Sequence, residues 1–153
     1  MSQPTGVDRS APVLAHHEIE IAAPRARVWR LHTAVNDWPK WHSEITAAEM
    51  TADFERGSSF DWTSYGFPVT STIYSVDEGS QVLWGGTAGG MTGVHEWAFD
   101  ETPDGVRVTT TESFASEPVE ADLDSMQSML DQSLVSWLAH LKAAAEEQAG
   151  STK

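Results

Sequence analysis

The sequence predicts an α+β domain, with an antiparallel sheet of about seven strands lying against one long terminal helix. Two patterns carry this. Glu120 to Gln148 repeats apolar side chains at a helical period, while Ile45 to Ala115 repeats them at a period of two between short turn signals.

The helix is the clearer element. At 3.6 residues per turn, Leu123, Met126, Leu130, Leu134, Trp137, Leu138 and Leu141 fall on one stripe, with Gln127 as its polar member. Asp122, Asp124, Ser125, Asp131, Ser136 and His140 mostly face elsewhere. Pro118 stands just ahead, Glu120, Asp122 and Asp124 charge the first turns negatively, and Lys142 comes late, as the helix dipole favours. Gly150 is expected to end it. A helix this one-sided needs a broad apolar surface, and the strands supply one.

The strands follow in order. Ala15 to Ala22 alternates, with His17, Ile19 and Ile21 on one side and His16, Glu18 and Glu20 on the other. Pro24 opens a helix carrying Val28, Leu31 and Val35 on one face with His32 beside them. Asn36 and Asp37 break that pattern, and a short second helix spans Pro39 to Ser43. Strands are then predicted over Ile45–Thr51, Ser59–Ser64, Val69–Val76, Gln81–Thr87, Val94–Asp100 and Val106–Ala115. The connections are Glu55–Ser58, Tyr65–Pro68, Asp77–Ser80 and Pro103-Asp104-Gly105. Such short links imply an antiparallel meander, which needs a cover on one face only. Gly85-Gly86-Thr87-Ala88-Gly89-Gly90 reads as a flexible loop, since no lysine or helix follows to make it a phosphate cradle.

Composition narrows the function. Nine Lys plus Arg against 23 Asp plus Glu give a net charge of −14, which disfavours nucleic acid and anionic membrane as partners. The chain has no cysteine, so disulfides and zinc-thiolate sites are excluded. No signal peptide or membrane span is evident, so the expected location is cytoplasmic. Residues 1–13 are expected to be a flexible tail and 14–149 a single domain in its 153 residues. Seven tryptophans either fill a large core or wall a binding cavity.

Ile19-Glu20-Ile21-Ala22-Ala23-Pro24 running into Val28-Trp29 is one of several connected motifs. Trp38-Pro39-Lys40-Trp41, Gly57 ahead of Phe60, Leu83-Trp84, His95-Trp97-Phe99 and Thr111-Glu112-Ser113-Phe114 follow it. Together, from about Ala15 to Gln148, they resemble the START-like (SRPBCC) superfamily of polyketide cyclases, lipid-transfer domains and plant pathogenesis-related allergens. The resemblance implies a helix-grip fold: a curved antiparallel sheet gripping the long helix, two short helices after the first strand, and a cavity between sheet and helix. Its members bind mostly hydrophobic ligands, and some cyclise polyketides. Fold alone does not choose between these.

Strand parity selects the side chains that reach such a cavity. Trp62, Ser71, Trp84, Trp97, Phe99, Thr110 and Phe114, with Gln127 and Leu130 from the helix, are the expected ligand-binding residues. His95 and Glu112 are the candidate catalytic pair: a buried carboxylate is driven toward its protonated form, and a histidine opposite could orient against it. The plainer alternative for both is a structural hydrogen bond. Trp38, Trp41 and Tyr65 are candidates to ring the mouth. No spacing fits a metal or cofactor site, so none is expected. The interior is apolar and aromatic, which fits binding of a hydrophobic or aromatic small molecule better than enolate stabilisation. Two further functions stay open: a cyclase, aromatase or dehydrase using His95 and Glu112, and a protein-interaction module with a filled cavity. A homodimer is compatible with either.

Overall fold

The computed structural model describes residues 6–64, 66–88, 91–116 and 123–151. In chain order the elements are β1 (Val13–Ile21), α1 (Arg25–Thr33), a 3-10 turn (Val35–Asp37), α2 (Trp38–Trp41), β2 (Ile45–Glu49), β3 (Ser59–Ser64), β4 (Phe67–Asp77), β5 (Gln81–Ala88), β6 (Met91–Thr102), β7 (Gly105–Ser116) and α3 (Leu123–Ser151).

The strands form one antiparallel sheet of seven in the order β1-β7-β6-β5-β4-β3-β2. From β2 to β7, strands adjacent in sequence are adjacent in the sheet, as short turns require. β1 crosses back to pair with β7 and leaves β1 and β2 as the edges. The predicted alternation gives the observed faces. Ala15 opposes Glu112, Glu112 opposes His95, and His95 opposes Trp84. Trp97 stands opposite Thr110, and Phe60 opposite Ser71. All of these share the face turned to α3.

α3 runs closest to β1, and polar links fasten it there. The Gln127 amide accepts from Leu14 N–H at 3.4 Å and donates to Leu14 O at 2.9 Å. His17 Nε2 meets Asp131 Oδ1 at 2.8 Å. Lys142 Nζ donates to Glu20 O at 2.9 Å, and Glu146 Oε2 accepts from Ala22 N–H at 2.9 Å. The other edge carries a matching clamp just past β2, where Asn36 bonds Met50 N at 2.8 Å and Met50 O at 3.1 Å. Side-chain amides thus occupy backbone groups beside both edges, which would otherwise be open to another strand.

The distance from α3 to the middle strands is filled by rings. Trp38, Trp84, Trp97 and Trp137 are all buried, together with Phe60, Phe99 and His32. Trp38 meets Trp137 edge-on at 5.0 Å, and Trp97 meets Trp137 at 5.3 Å. A second, smaller apolar cluster of Val13, Ala15, Leu130 and Leu134, with Phe114 and Met126 against it, lies under the first half of α3.

Several predicted boundaries are corrected. β4 begins at Phe67 and takes in Pro68, and β6 begins at Met91, so these strands are longer than their alternation alone indicates. Gly85 to Ala88 belong to β5 rather than to a flexible loop. A Cβ on Gly85 would meet Gly93 O at 2.1 Å, and one on Gly86 would meet Thr70 O at 2.3 Å, so the glycines serve close strand approach. Gly89, Gly90, Pro118 and Glu120 lie outside the described residues. Gly150 lies inside α3, which runs on to Ser151. The second helix starts at Trp38 and ends at Trp41.

Candidate functional site

The sequence of each strand sets what lines the concave face along its length. At the far end from the β3–β4 and β5–β6 connections, Phe60, Ile73, Trp84, Trp97, Phe99 and Val108 are sealed. Toward those connections the same face changes character. Gly86 stands opposite Gly93, and both lack side chains. Trp62, Val69, Gly86, Gly93, Glu112, Phe114, Met126 and Gln127 are each only half-buried, and Phe67, in register with Ser64, is 72% exposed. Burial on β3, β5, β6 and β7 is therefore lower toward that end, while Val13 and Ala15, paired with Phe114 and Glu112, stay sealed on β1.

Between the sealed and open ends lie His95 and Glu112. β6 and β7 pair them directly. His95 is 2% exposed and Glu112 15%, with Nδ1 and Oε1 3.5 Å apart. His95 Nε2 lies 2.7 Å from Thr110 Oγ1, and Thr110 O–H donates to Glu96 O at 3.2 Å. Burial pushes the Glu112 carboxyl up to about 8, because ionising it there costs its hydration. His95 is pushed well below its ordinary value, first by burial and then by His32. Near neutral pH both groups are therefore uncharged.

The expected ligand-binding residues divide into three sets. Trp62 and Phe114 are half-buried at the open end, and Trp62 Nε1–H donates to buried Ser71 Oγ at 3.0 Å. Trp84, Trp97 and Phe99 are enclosed in the ring cluster, and Thr110 is fully buried. From α3, Leu130 is buried in the smaller cluster, while Gln127 is engaged with the Leu14 backbone and with Asp131 Oδ2 at 3.2 Å. Trp38 does not ring a mouth: it is 0% exposed, and its Nε1–H donates to His32 O at 2.9 Å. Trp41 leans on Trp137 at 6.0 Å, and Tyr65 lies outside the described residues.

His32 is the residue that sequence reasoning undervalued. It is 0% exposed at the centre of the rings, 4.4 Å from Trp97. Trp84 Nε1–H donates to its Nε2 at 3.3 Å, so its own proton sits on Nδ1, which is buried and has no partner among the described residues. Burial pushes its pKa down to about 3. The signal was its spacing, four residues after Val28 on the inward stripe of α1. His42 was also missed. It stacks on His140 at 4.5 Å and is pushed down to about 4 by burial and by His140.

Two depressions mark the outer surface. One, of about 260 Å³, lies over α1 between Arg27, Arg30, Leu31, Ala34 and Asp37. The other, of about 350 Å³, lies on α3 between Asp131, Gln132, Val135, Ser136, Ala139 and His140. Neither contains a predicted site residue. Among the described residues no cluster of three or more His, Asp or Glu is placed to hold a metal. No helix among them is long and apolar enough to cross a membrane.

The curved seven-stranded sheet, two short helices after β1 and long terminal helix define a START-like helix-grip protein. The family model described as polyketide cyclase / dehydrase and lipid transport matches residues 12–146, and the chain belongs to that family. No curated protein matches it in sequence. Among solved structures, a hypothetical protein of Helicobacter pylori superposes with a TM-score of 0.76 at 16% identity, covering 95% of this chain and 99% of its own. A START superfamily protein from Mycobacterium smegmatis gives 0.75 at 14% identity, over 88% and 98%. The Zhui aromatase/cyclase of a Streptomyces species gives 0.75 at 16% identity, over 89% and 94%. At these identities the structures establish the fold.

Proposed function

We propose that the protein binds a hydrophobic, aromatic small molecule at the open end of the helix–sheet interior. Trp62 and Phe114 flank the guest, and the Glu112–His95 pair meets its polar end. The observation that carries this is the fall in burial along one continuous face, from Trp97 at 0% to the half-buried Trp62, Gly93, Glu112 and Phe114. A closed core has no reason to leave inward-pointing apolar side chains wet. Trp84, Trp97 and Phe99 then act from behind, as the wall that holds His95.

The neutral probe N-phenyl-1-naphthylamine tests this. Its fluorescence should rise on mixing with the protein, and Trp62→Ala together with Phe114→Ala should weaken its affinity roughly tenfold or more, given the aromatic area removed. Unchanged affinity in both variants would place the probe elsewhere.

Catalysis is the second reading, favoured by one observation. A carboxyl raised to about 8 beside a neutral imidazole is suited to proton transfer near pH 7. A cyclase or dehydrase of this kind would lose turnover of a poly-β-ketone in His95→Phe while retaining the probe. The ring cluster favours the filled-cavity module only for the sealed end.

A further inference from the structure

Resting on the ligand-binding reading above, we infer that the site refuses anionic guests: a neutral alcohol, ketone or ether binds, and a weak organic acid enters as the acid rather than as its carboxylate.

The reason is where the chain puts its positive charge. Of nine Lys and Arg, eight lie among the described residues, and none of these turns toward the helix–sheet interior. Arg9 is exposed, in a segment that Asp8 N–H ties to Ser113 Oγ at 3.0 Å, and Ser113 has the opposite parity to Glu112 and Phe114. Arg25 reaches the turn at Gly79, its guanidinium 4.0 Å from a Cβ built there. Arg27 and Arg30 flank the outer depression over α1. Arg56 is exposed in the turn before β3, at the far end of that strand from the β3–β4 connection. The other three lie beside surface carboxylates: Lys40 by Asp37 at 3.1 Å, Arg107 by Glu20 at 2.7 Å and Lys142 by Glu146 at 2.6 Å.

The titratable groups around the site do not make up the difference. They are Glu112 on β7, His95 on β6, His17 on β1, Asp131 on α3 and, behind His95, His32 on α1. His32, His95 and Glu112 are uncharged near neutral pH, each because burial penalises its charged form. His17 already faces Asp131 at 2.8 Å, so a proton on it is matched before a guest arrives. Trp62, Val69, Phe114, Met126 and Gln127, half-buried at the open end, carry no charge. A carboxylate or phosphate brought here gives up its hydration and gains no cation, while the net charge of −14 repels it. A neutral polar end gives up much less. The carboxyl and imidazole of Glu112 and His95 between them hold both donors and acceptors for it, wherever their hydrogens sit. Free fatty acids and phosphate esters are thereby excluded as guests whose polar end lies inside.

Calorimetric titration of 2-acetylnaphthalene and 2-naphthoic acid from pH 5.5 to 7.5 tests this. The two are similar in size, and only the second ionises. The ketone should bind with nearly constant affinity, and it controls for any change in the protein over that range. The acid should weaken by about tenfold per pH unit, because only its protonated fraction enters and that fraction falls tenfold per unit. Val69→Lys, which sets an ammonium group across from Trp62, should narrow the gap between acid and ketone at pH 7.5 by about tenfold. A flat affinity for the acid in the native protein, or naphthoate binding as tightly as the ketone at pH 7.5, would overturn the inference and leave the cavity itself intact. So would an acid-to-ketone ratio in Val69→Lys equal to the native one, since a supplied cation would then make no difference. If the ketone does not bind, the cavity reading falls and this inference with it. If Val69→Lys fails to fold, the two titrations of the native protein still decide.

Discussion

At the scale of single residues the interior is governed by groups kept neutral. His32, His42 and His95 are buried and held below their ordinary value, so each must gain a proton on unfolding once the pH drops under about 6.5. Glu112 is held above its ordinary 4.5, so it must lose its proton on unfolding at any pH between 4.5 and about 8. Below 6.5 three imidazoles take up protons while one carboxyl gives its own up. The unfolded chain binds more in total, and stability falls with falling pH. Between 6.5 and 8 only the carboxyl differs, the folded state holds the extra proton, and stability falls with rising pH. These four groups therefore set a stability maximum near pH 6.5. The loss from there to pH 8 is about 2 kcal/mol from Glu112 alone, an order-of-magnitude figure. Denaturant midpoints measured from pH 5 to 9 should show the decline on the alkaline side, and Glu112→Gln should remove it. A midpoint still climbing above pH 7 would contradict the assignment.

Alternation along β6 and β7 made Glu112 and His95 legible in the sequence, because period-two patterns fix facing and a meander fixes pairing. What sequence could not give is how far down the cavity a residue sits. Trp97 and Phe99 share parity with Gly93, yet they are sealed and Gly93 is not. That difference depends on where α3 leans and on how rings from α1, α2 and α3 crowd one end. His32 shows the same limit, since periodicity marks it as inward but says nothing of the tryptophans gathered on it.

At the scale of elements, α3 is held less by its own propensity than by its attachments to β1. Gln127 binds both backbone groups of Leu14 as a neighbouring strand would. Gln127→Leu leaves those groups without that partner in a half-buried place, and should cost about 1–3 kcal/mol. Amide hydrogen exchange at Leu14 should speed up in that variant while exchange in β5 and β6 stays slow. No change in either stability or Leu14 exchange would mean that water replaces the clamp at no cost. The stripe of α3 was visible at its helical period. The clamp was not, because a glutamine on an apolar stripe reads as a polar interruption until its distance to an edge strand is known. Asn36 hides its clamp on Met50 in the same way.

At the scale of the whole molecule, the sheet and helix meet closely along β1 and stand apart over the middle strands. Rings bridge the gap at one end, and at the other Phe114 and Met126 pack on the smaller cluster under α3. That asymmetry divides a core that holds the fold from the half-buried end at which guest binding is proposed. The fold was legible almost throughout, since seven alternating segments, short turns and one amphipathic helix admit few arrangements. The strand ends near the glycines were not, because Gly85 and Gly86 mimic a loop while serving close strand approach. The acidic surface, with its net charge of −14, should keep both anionic lipid and polyanions away from the molecule.

Mapping where a guest sits tests the central claim most directly. In an amide and indole nuclear magnetic resonance titration with 2-naphthol, signals of Trp62, Gly93, Glu112 and Phe114 should shift together and saturate. The Trp38 indole N–H, bonded to His32 O deep in the sealed end, should hardly move. Shifts confined to the outer surface of α3 around Val135 and His140, or no saturable shifts at all, would contradict an interior open at one end.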